Sequence, residues 1–364
     1  MVSEDYIKTI SKSFCIHGDF VSAAPYGGGH INDTFAVEYL QGGVPMRYIF
    51  QRINHQIFKD PALLMDNISR VLRHSHERLS DTEDASRRAL TLIPSVKGQH
   101  YTVDGEGYYW RVYIFIEQAT TYDVVENEKQ AFEAARAFGN FQSLLVDIPG
   151  ERLKETIPDF HDTPKRYHAL LSAIEADTQN RAKNVKAEID FIIKREPDTR
   201  VIVNGIHDGS IPERITHNDT KLNNVMIDDH TQEGICVIDL DTVMPGSALY
   251  DFGDLVRTST SPALEDEQNL SKVTMRQTMF EALARGYLSA AGEFLTPREI
   301  ELLPFSGKLI TLEIGIRFLT DYLQGDTYFK THREGHNLDR CRTQLKLVSS
   351  IEEQTEAMSI LVRR

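Results

Sequence analysis

Cysteine is scarce in this chain of 364 residues, and its copies are widely separated. Cys15, Cys236 and Cys341 are odd in number and form no Cys-x-x-Cys pair. Neither a disulfide framework nor a structural zinc site is therefore predicted. Such cysteine usage is typical of a reducing compartment, and we expect a cytoplasmic protein.

Long apolar runs are missing as well. No apolar stretch approaches the roughly 20 residues that a helix needs to span a bilayer. The chain opens on the acidic residues MVSED, and no signal-type apolar core follows them. We therefore expect neither a secreted protein nor an integral membrane protein.

Basic charge is in deficit, since 40 Lys and Arg face 54 Asp and Glu, for a net charge of -14. No basic run of the kind that follows a phosphate backbone is present, so nucleic acid is not an expected partner. The remaining composition, 41% hydrophobic and 26% charged, is that of an ordinary globular protein. The length allows two lobes, each with its own core.

Two acidic segments carry the clearest chemical signal in the chain. Residues 217–224, HNDTKLNN, place Asp219 five positions before Asn224, and residues 234–239, GICVID, place Asp239 at the end of an apolar run. Phosphoryl transfer needs a carboxylate for the proton of the acceptor hydroxyl and hard oxygen ligands for Mg²⁺. We therefore predict that Asp219 is the catalytic residue and that Asn224 and Asp239 bind the metal.

The local structure of these segments can also be predicted. The first should be a loop, because Thr, His, Asn and Asp are poor helix formers, and residues 234–238 should form a short buried strand. His217 is predicted to bond the loop backbone rather than to act as a base. Lys221 is either a phosphate contact or a solvated surface lysine, and Asp241 is either a second metal contact or an acid behind the ligands.

The order of these motifs resembles a known superfamily. His-x-Asp-x-x-x-x-Asn, then Ile-Asp, then ALYDFGD at residues 248–254 resembles the aminoglycoside phosphotransferases and choline kinases, a branch of the protein-kinase-like fold. Residues 217–228 and 239–247 are similar in particular to bacterial N-acetylhexosamine 1-kinases. The resemblance runs from residue 25 to residue 346. Asp251 is predicted to brace the catalytic loop.

Aromatic and β-branched runs between turn signals predict an antiparallel sheet in the first third of the chain. Pro61 starts a predicted helix, and from Glu128 onward apolar residues recur at helical spacing. The clearest predicted strands are residues 34–39, 47–53, 100–103 and 108–116. Further predicted helices cover residues 187–194, 311–323 and 340–363.

The resemblance implies how these elements combine. We expect an α+β, bilobal, protein-kinase-like fold with a small N-terminal lobe, made of an antiparallel sheet and a helix, and a larger, mainly helical C-terminal lobe. Residues 1–116 are the predicted nucleotide-binding lobe, and residues 117–123 are the predicted hinge. Residues 124–364 are the predicted catalytic and substrate-binding lobe.

The resemblance also implies an activity, that of an ATP- and Mg²⁺-dependent kinase phosphorylating the anomeric hydroxyl of an N-acetylhexosamine. Positions that hold the sugar in these kinases assign substrate contacts to His30, Asn32, Arg317 and Tyr328. Arg and Tyr suit a sugar because they offer planar paired donors, a hydroxyl and stacking faces. From the residues alone, Arg317 could equally form an ion pair with Asp321 one helical turn later.

Nucleotide contacts are expected from three parts of the chain. Gly28 and Gly29 belong to a glycine run whose ordering costs backbone entropy, and we expect them to form a flap over the nucleotide and the sugar. The adenine is expected to lie against the main chain near Glu117 and Ala119. Ile238 is expected beneath it.

One position departs from the protein kinases. The phosphate-binding lysine of their Val-Ala-Ile-Lys strand is replaced by Gln51, and Arg52 should point to the opposite face of the strand. Which cation takes its place is left open. The missing lysine motivates an alternative in which the chain is an inactive kinase fold that only binds, although Asp219, Asn224 and Asp239 are all retained.

Two further alternatives concern the chemistry and the acceptor. Residues 239–243, DLDTV, also match the Asp-x-Asp-x-Thr/Val start of haloacid-dehalogenase-type phosphatases, whose first aspartate is a nucleophile. Those folds place this strand early and follow it with a Rossmann-like domain, whereas mostly helical sequence follows here. Within the superfamily, an aminoglycoside or a choline-type alcohol is the alternative acceptor, and the acidic chain would attract a cationic aminoglycoside.

Overall fold

A computed structural model of the chain describes residues 2–27 and 31–363. The predicted contacts Gly28, Gly29 and His30 lie outside these residues. The described architecture is α+β, with a five-stranded antiparallel sheet in the first third of the chain and mainly helices after it. The predicted fold class is thereby confirmed at the level of its secondary structure.

The N-terminal sheet has the strand order β1-β2-β3-β5-β4. Gly42 and Gly43 join β2 to β3 with φ of +58° and +85°, the left-handed backbone that a two-residue hairpin needs and that glycine adopts at no steric cost. The pairing of β3 with β5 places Gln51 directly opposite Arg111. The strands are β1 (Asp19–Pro25), β2 (Asp33–Gln41), β3 (Val44–Ile53), β4 (Thr102–Val103) and β5 (Tyr109–Ile114).

Alternation along the strands gives this sheet two different faces. The outer face carries aromatic side chains such as Phe50, which pack with Ile7 of helix α1 (Glu4–Ser11) in one apolar cluster. The opposite face carries Gln51 and Arg111, whose side chains reach toward the C-terminal part of the chain. Helix α1 was not predicted from the sequence.

Helix α2 (Pro61–Leu79) connects the two hairpins and begins where it was predicted. Asp60 caps it by accepting the main-chain N–H of Leu63 at 2.9 Å, and Pro61 occupies the first turn, where no partner for its nitrogen is needed. Leu64 and Ile68 on its inner face are fully buried in the largest apolar cluster of the protein. The short helix α3 (Ala85–Arg88) follows.

Two small sheets surround the acidic segments. The first has the order β6-β8-β9, and the second pairs β7 with β10. Gly246 in β10 lies so close to β7 that an added Cβ would be 2.4 Å from Thr216 Oγ1. The strands are β6 (Ala119–Thr120), β7 (Arg214–Thr216), β8 (Val225–Asp228), β9 (Gly234–Val237) and β10 (Met244–Gly246), with 3₁₀ turns at Leu222–Asn224 and Leu240–Thr242.

Helices make up the rest of the chain. The longest is α11, which starts with a capping box between Thr296 and Glu299 and ends at Gly325, whose φ is +100°. Of the helices described, none has the length and the apolar character to cross a membrane. In chain order the helices are α4 (Glu128–Leu145), α5 (Thr163–Ala176), α6 (Lys186–Ile193), α7 (Glu196–Thr199), α8 (Val201–His207), α9 (Ala248–Ser259), α10 (Gln277–Ala291), α11 (Pro297–Gln324) and α12 (His336–Val362), with 3₁₀ turns at Ala182–Asn184 and Leu270–Lys272.

Candidate active site

The loop after β7 carries the predicted catalytic aspartate. Asn218, just before it, has φ of 64°, and its side-chain amide donates to the carbonyls of Thr216 and Thr242 at 3.1 and 2.9 Å. These bonds hold a backbone conformation that non-glycine residues rarely adopt. Asp219 follows with its side chain 28% exposed, so its carboxylate is accessible from solvent.

Asp251 on α9 braces this loop, as predicted. Its buried carboxylate accepts the main-chain N–H groups of His217 and Asn218 at 2.9 and 2.7 Å. Gln142 on α4 donates to the same carboxylate at 2.5 Å, and the Thr220 hydroxyl donates to the Asp251 carbonyl at 2.5 Å. One buried residue therefore fixes the backbone on both sides of Asp219.

His217 has the structural role that was predicted for it. Its Nε2 lies 2.9 Å from the carbonyl oxygen of Ile238, and its Nδ1 lies 3.3 Å from the main-chain nitrogen of Asp219. The first contact suits a proton on Nε2, and the second suits a lone pair on Nδ1. The ring thereby ties the catalytic loop to the end of β9.

Lys221 lies beside Asp219, with its Nζ 2.9 Å from Asp219 Oδ2. Packed surroundings oppose ionisation of Asp219, but the ammonium outweighs them and lowers the pKa of its carboxyl. Asn224 donates from Nδ2 to the main-chain carbonyl of Asp219 at 2.8 Å. This bond leaves Oδ1 of the Asn224 amide as the atom able to bind a cation.

Asp239 lies two residues after the end of β9 and is exposed to solvent. Its φ of 59° puts it in the left-handed region. The protein packed around it and the carboxylates of Asp241 and Asp219 raise its pKa to about 6. The Ile238 N–H donates to the Asn224 carbonyl at 2.9 Å, so the two predicted metal ligands sit on adjoining segments.

Asp241 lies behind these residues rather than among them. It is buried, and its Oδ1 is hydrogen-bonded to Nη1 of Arg111 on β5. Asn32 donates from Nδ2 to Oδ2 at 2.6 Å, and the Thr156 hydroxyl donates to the Asp241 carbonyl at 2.8 Å. Both carboxylate oxygens accept hydrogen bonds from protein groups. This geometry favours the prediction that Asp241 is an acid behind the metal ligands over the prediction that it is a second metal contact.

Asn32, a predicted sugar contact, uses both ends of its amide within the protein. Besides the bond to Asp241, its Oδ1 accepts the main-chain N–H of Asn54 at 2.9 Å. As placed, Asn32 joins the end of β3 to the Asp241 segment. One N–H of Nδ2 and one lone pair of Oδ1 remain for a further partner such as a sugar hydroxyl.

Arg317 lies among three aromatic rings, which together with it form the Arg317 cluster. Its guanidinium carbon is 5.4, 5.9 and 5.6 Å from the ring centres of Phe160, Tyr328 and Phe329. Tyr328 is 64% exposed, so its ring is open to a ligand. Asp321 instead accepts the main-chain N–H of Tyr328 at 2.8 Å. Among the residues that the structure describes, Arg317 and Asp321 do not form the ion pair that the sequence left open.

A buried histidine links the Arg317 cluster to the catalytic loop. His161 Nδ1 lies 2.8 Å from Oε1 of Glu313, one helical turn before Arg317, and Nε2 lies 3.1 Å from the carbonyl oxygen of Asn218. Both partners only accept, so both ring nitrogens carry protons. Burial works against this charge, but the Glu313 carboxylate outweighs it, with a smaller contribution from Asp254, and raises the pKa of His161.

Replacing His161 with Gln is expected to destabilise the protein more at pH 6 than at pH 9. The pKa of His161 is higher in the folded than in the unfolded protein. Its contribution to the free energy of unfolding is therefore complete below the unfolded-state pKa near 6.5 and is lost as the pH rises through the folded-state pKa. Breaking a buried ion pair at pH 6 should cost about 3 kcal/mol of unfolding free energy. Urea denaturation at both pH values measures the difference. His207→Gln, at an exposed histidine, is the control, and equal losses at both pH values would contradict a charged His161.

Two of the predicted nucleotide contacts, Glu117 and Ala119, lie on the connection from β5 to β6 and at the start of β6. The main-chain carbonyls of Glu117 and Gln118 each accept a hydrogen bond from Arg87 Nη2 at 2.9 Å. Arg87 also pairs with Asp228 at 2.8 Å, and Ala119 pairs with Asp228 in the β6-β8 ladder. Arg87, which was not predicted, thus fixes the connection near which the adenine is expected.

Three further residues of the site, Arg111, His161 and Glu313, were not predicted. Arg111 does carry a sequence signal, because a cation in the middle of the buried strand β5, between Trp110 and Val112, needs a partner from elsewhere in the chain. His161 and Glu313 have no such local signal, since 152 positions separate them.

The comparison with known families decides what kind of protein this is. The model of the phosphotransferase enzyme family, APH, matches residues 22–297, about three quarters of the chain. The chain belongs to this phosphotransferase family. The matched range contains Asp219, Asn224 and Asp239 together with all but the first three residues of the N-terminal sheet.

Solved structures share the fold of this phosphotransferase along nearly its whole length. An aminoglycoside phosphotransferase from Alicyclobacillus acidocaldarius has 12% identity and a TM-score of 0.60, covering 98% of this chain and 95% of that one. A choline kinase from Cryptosporidium parvum has 16% identity and a TM-score of 0.56, with 99% and 98% covered. A spectinomycin phosphotransferase in complex with ADP and spectinomycin has 14% identity and a TM-score of 0.53, with 98% and 99% covered.

These findings exclude the phosphatase alternative for residues 239–243. In this phosphotransferase Asp239 follows the last strand of a small antiparallel sheet, β6-β8-β9, late in the chain. A haloacid-dehalogenase-type nucleophile would instead follow an early strand of a Rossmann-like domain. Asp239 is therefore not the nucleophile of such a phosphatase.

Proposed function

We propose that this phosphotransferase is an ATP- and Mg²⁺-dependent kinase for the anomeric hydroxyl of an N-acetylhexosamine. The observation that carries the proposal is the Arg317 cluster, a guanidinium and an open tyrosine ring connected through Glu313 and His161 to the catalytic loop. A sugar with an amide substituent fits this chemistry, because the guanidinium donates to carbonyl and hydroxyl oxygens and the ring stacks on a pyranose face.

Asp219 would act on the acceptor hydroxyl. Its lowered pKa keeps the carboxylate ionised at neutral pH, the state that accepts a hydrogen bond from a hydroxyl and then its proton. The bracing of the loop by Asp251 holds that oxygen in place. Lys221, bonded to the same carboxylate, lies where it could also meet a transferred phosphate.

Asn224 and Asp239 fit a divalent cation. They offer one amide oxygen and one exposed carboxylate, both hard oxygen donors of the kind that Mg²⁺ prefers, and nucleotide phosphates and water would complete the shell. The pKa of Asp239 is raised first by the protein packed around it and then by the carboxylates of Asp241 and Asp219, and a bound cation would stabilise its ionised form. Bound Mg²⁺ would neutralise charge on the phosphates during transfer. ADP in the spectinomycin phosphotransferase supports an adenine nucleotide here.

The charge around the Arg317 cluster speaks against a cationic acceptor. Arg166 lies near enough that Arg317 contributes to lowering its pKa, after the larger effect of burial. Within the part of the chain that the structure describes, neither guanidinium forms a salt bridge with a carboxylate. The positive charge of the two guanidinium groups would repel choline or an aminoglycoside, whereas a neutral sugar meets no such penalty.

A panel of acceptors tests the proposal. With ATP and Mg²⁺, we expect ADP release with N-acetylglucosamine or N-acetylgalactosamine to exceed that with glucose, galactose, choline or kanamycin by at least about tenfold in kcat/KM. Phosphorus NMR should place the phosphate on the anomeric oxygen. Turnover of choline or kanamycin alone would refute the substrate class. Nucleotide binding without turnover of any acceptor would favour the inactive binding module.

A further inference from the structure

A buried arginine lies on β5, the strand next to β3. Gln51, at the position of the kinase lysine, pairs directly with Arg111 on β5. Its Oε1 accepts from Arg111 Nε at 2.9 Å, and its Nε2 donates to Thr34 Oγ1 on β2 at 3.1 Å. Hydrogen bonds that join three strands therefore fix the orientation of the Arg111 guanidinium.

The target of this guanidinium is the segment that carries the proposed metal ligand. Arg111 and Asp241 form an ion pair with side chains only 1% and 4% exposed. Although burial opposes it, Asp241 raises the pKa of Arg111, so the guanidinium stays charged. A buried cation is tolerated only with such a partner. Asp241 lies two residues after Asp239, whose left-handed backbone needs support from its surroundings.

We propose that Arg111 is the positioning residue that takes the place of the strand lysine. It acts through Asp241, holding residues 239–241 against the N-terminal sheet so that the Asp239 carboxylate faces the nucleotide phosphates. Its fixed positive charge also lies near Asp239 and favours phosphate there. The proposal rests on the proposed kinase function, but it concerns nucleotide and metal binding rather than the identity of the acceptor.

Arg111→Gln tests this role, because glutamine keeps an amide beside Gln51 and removes the charge. We expect kcat to fall about 100-fold while KM for the acceptor stays within about threefold. The Kd of ATP with Mg²⁺, measured by calorimetry, should rise at least about tenfold, more than the Kd of ATP in EDTA. Arg52→Gln is the matched control, since Arg52 is the next residue on β3 and pairs with exposed Asp33. A folded Arg111→Gln variant with kcat and Kd within threefold of the wild type overturns the proposal.

A charge swap separates positioning from packing. Gln51→Lys combined with Arg111→Gln returns the cation to β3, opposite the glutamine, and should recover at least about tenfold in kcat over Arg111→Gln alone. A purely structural role for Arg111 predicts no such recovery. If the double variant folds but its kcat stays within twofold of that of Arg111→Gln, Arg111 does not take the place of the strand lysine.

Unfolding and acceptor identity are controlled separately. If Arg111→Gln does not fold because Asp241 is left charged and buried, Arg111→Gln/Asp241→Asn provides a neutral pair able to hydrogen-bond. The same losses in kcat and in Mg²⁺-dependent ATP binding are expected for it, and wild-type values would overturn the proposal. Failure of the proposed function would show in the wild-type acceptor panel, whereas ATP binding reports on Arg111 without any acceptor.

Discussion

Asp219→Asn should lower kcat by about three orders of magnitude while changing the Kd of ATP and of the sugar by no more than a few-fold. An amide cannot take the proton of the acceptor hydroxyl, and removing a positioned base typically costs two to four orders of magnitude. Lys221 loses its ionic partner, but this lysine is 38% exposed and remains solvated, so the fold should be preserved. ADP release and calorimetry measure the two effects.

The matched control for this substitution is Asp190→Asn, at an exposed acid on α6. It makes the same chemical change away from the site and should leave kcat unaltered. An Asp219→Asn variant that keeps more than about a tenth of wild-type kcat would remove Asp219 from the role of base, since general-base catalysis is worth at least about 100-fold.

Asp251→Ala should lower the unfolding free energy by about 3 kcal/mol and should also lower kcat at least about tenfold. The change leaves the buried N–H groups of His217 and Asn218 and the amide of Gln142 without their acceptor. Each unsatisfied buried donor costs about 1–3 kcal/mol, and partial relaxation reduces the sum. The loop that bears Asp219 then loses its support.

Urea denaturation followed by circular dichroism measures this stability, and ADP release below the transition measures the activity of the folded fraction. Asp190→Ala is the control for the loss of an exposed carboxylate and should change stability by less than about 0.5 kcal/mol. If Asp251→Ala unfolds at the wild-type urea concentration, the carboxylate does not brace the loop in the way the structure indicates.

The fold was predictable from the sequence where the local signal is strong. Helix α2 begins at Pro61 after the Asp60 cap, and α4 begins at Glu128, because capping residues and apolar periodicity act within a few positions. Four strands of the N-terminal sheet were predicted with errors of a few residues at their ends, whereas the range of β1 was not predicted. Helix α1 was missed because its eight residues are too few to show a reliable period, and the packing of Ile7 against the sheet stabilises it.

Within the candidate site, spacing predicted a loop for Asp219 and Asn224 and a strand end for Asp239. Those features depend on chain segments of fewer than ten residues. The sequence left three questions open, about Lys221, Asp241 and the missing lysine. Each of them depends on which residues distant in the chain lie close together in the fold. The structure places Lys221 on Asp219, and it joins Asp241 to Arg111, 130 positions away.

The sequence by itself determined that the chemistry concerns phosphate, because carboxylates and an amide at those spacings on a loop and a strand end suit phosphoryl transfer. The phosphatase alternative for residues 239–243 was excluded only by the fold. Only the tertiary structure decided which charges meet. Pairing of β3 with β5 set Arg111 beside Gln51 and aimed it at Asp241, and packing of α11 brought Glu313 to His161. Such buried ion pairs form only where burial removes water and the fold supplies the opposite charge, and neither condition is encoded within a short segment of sequence.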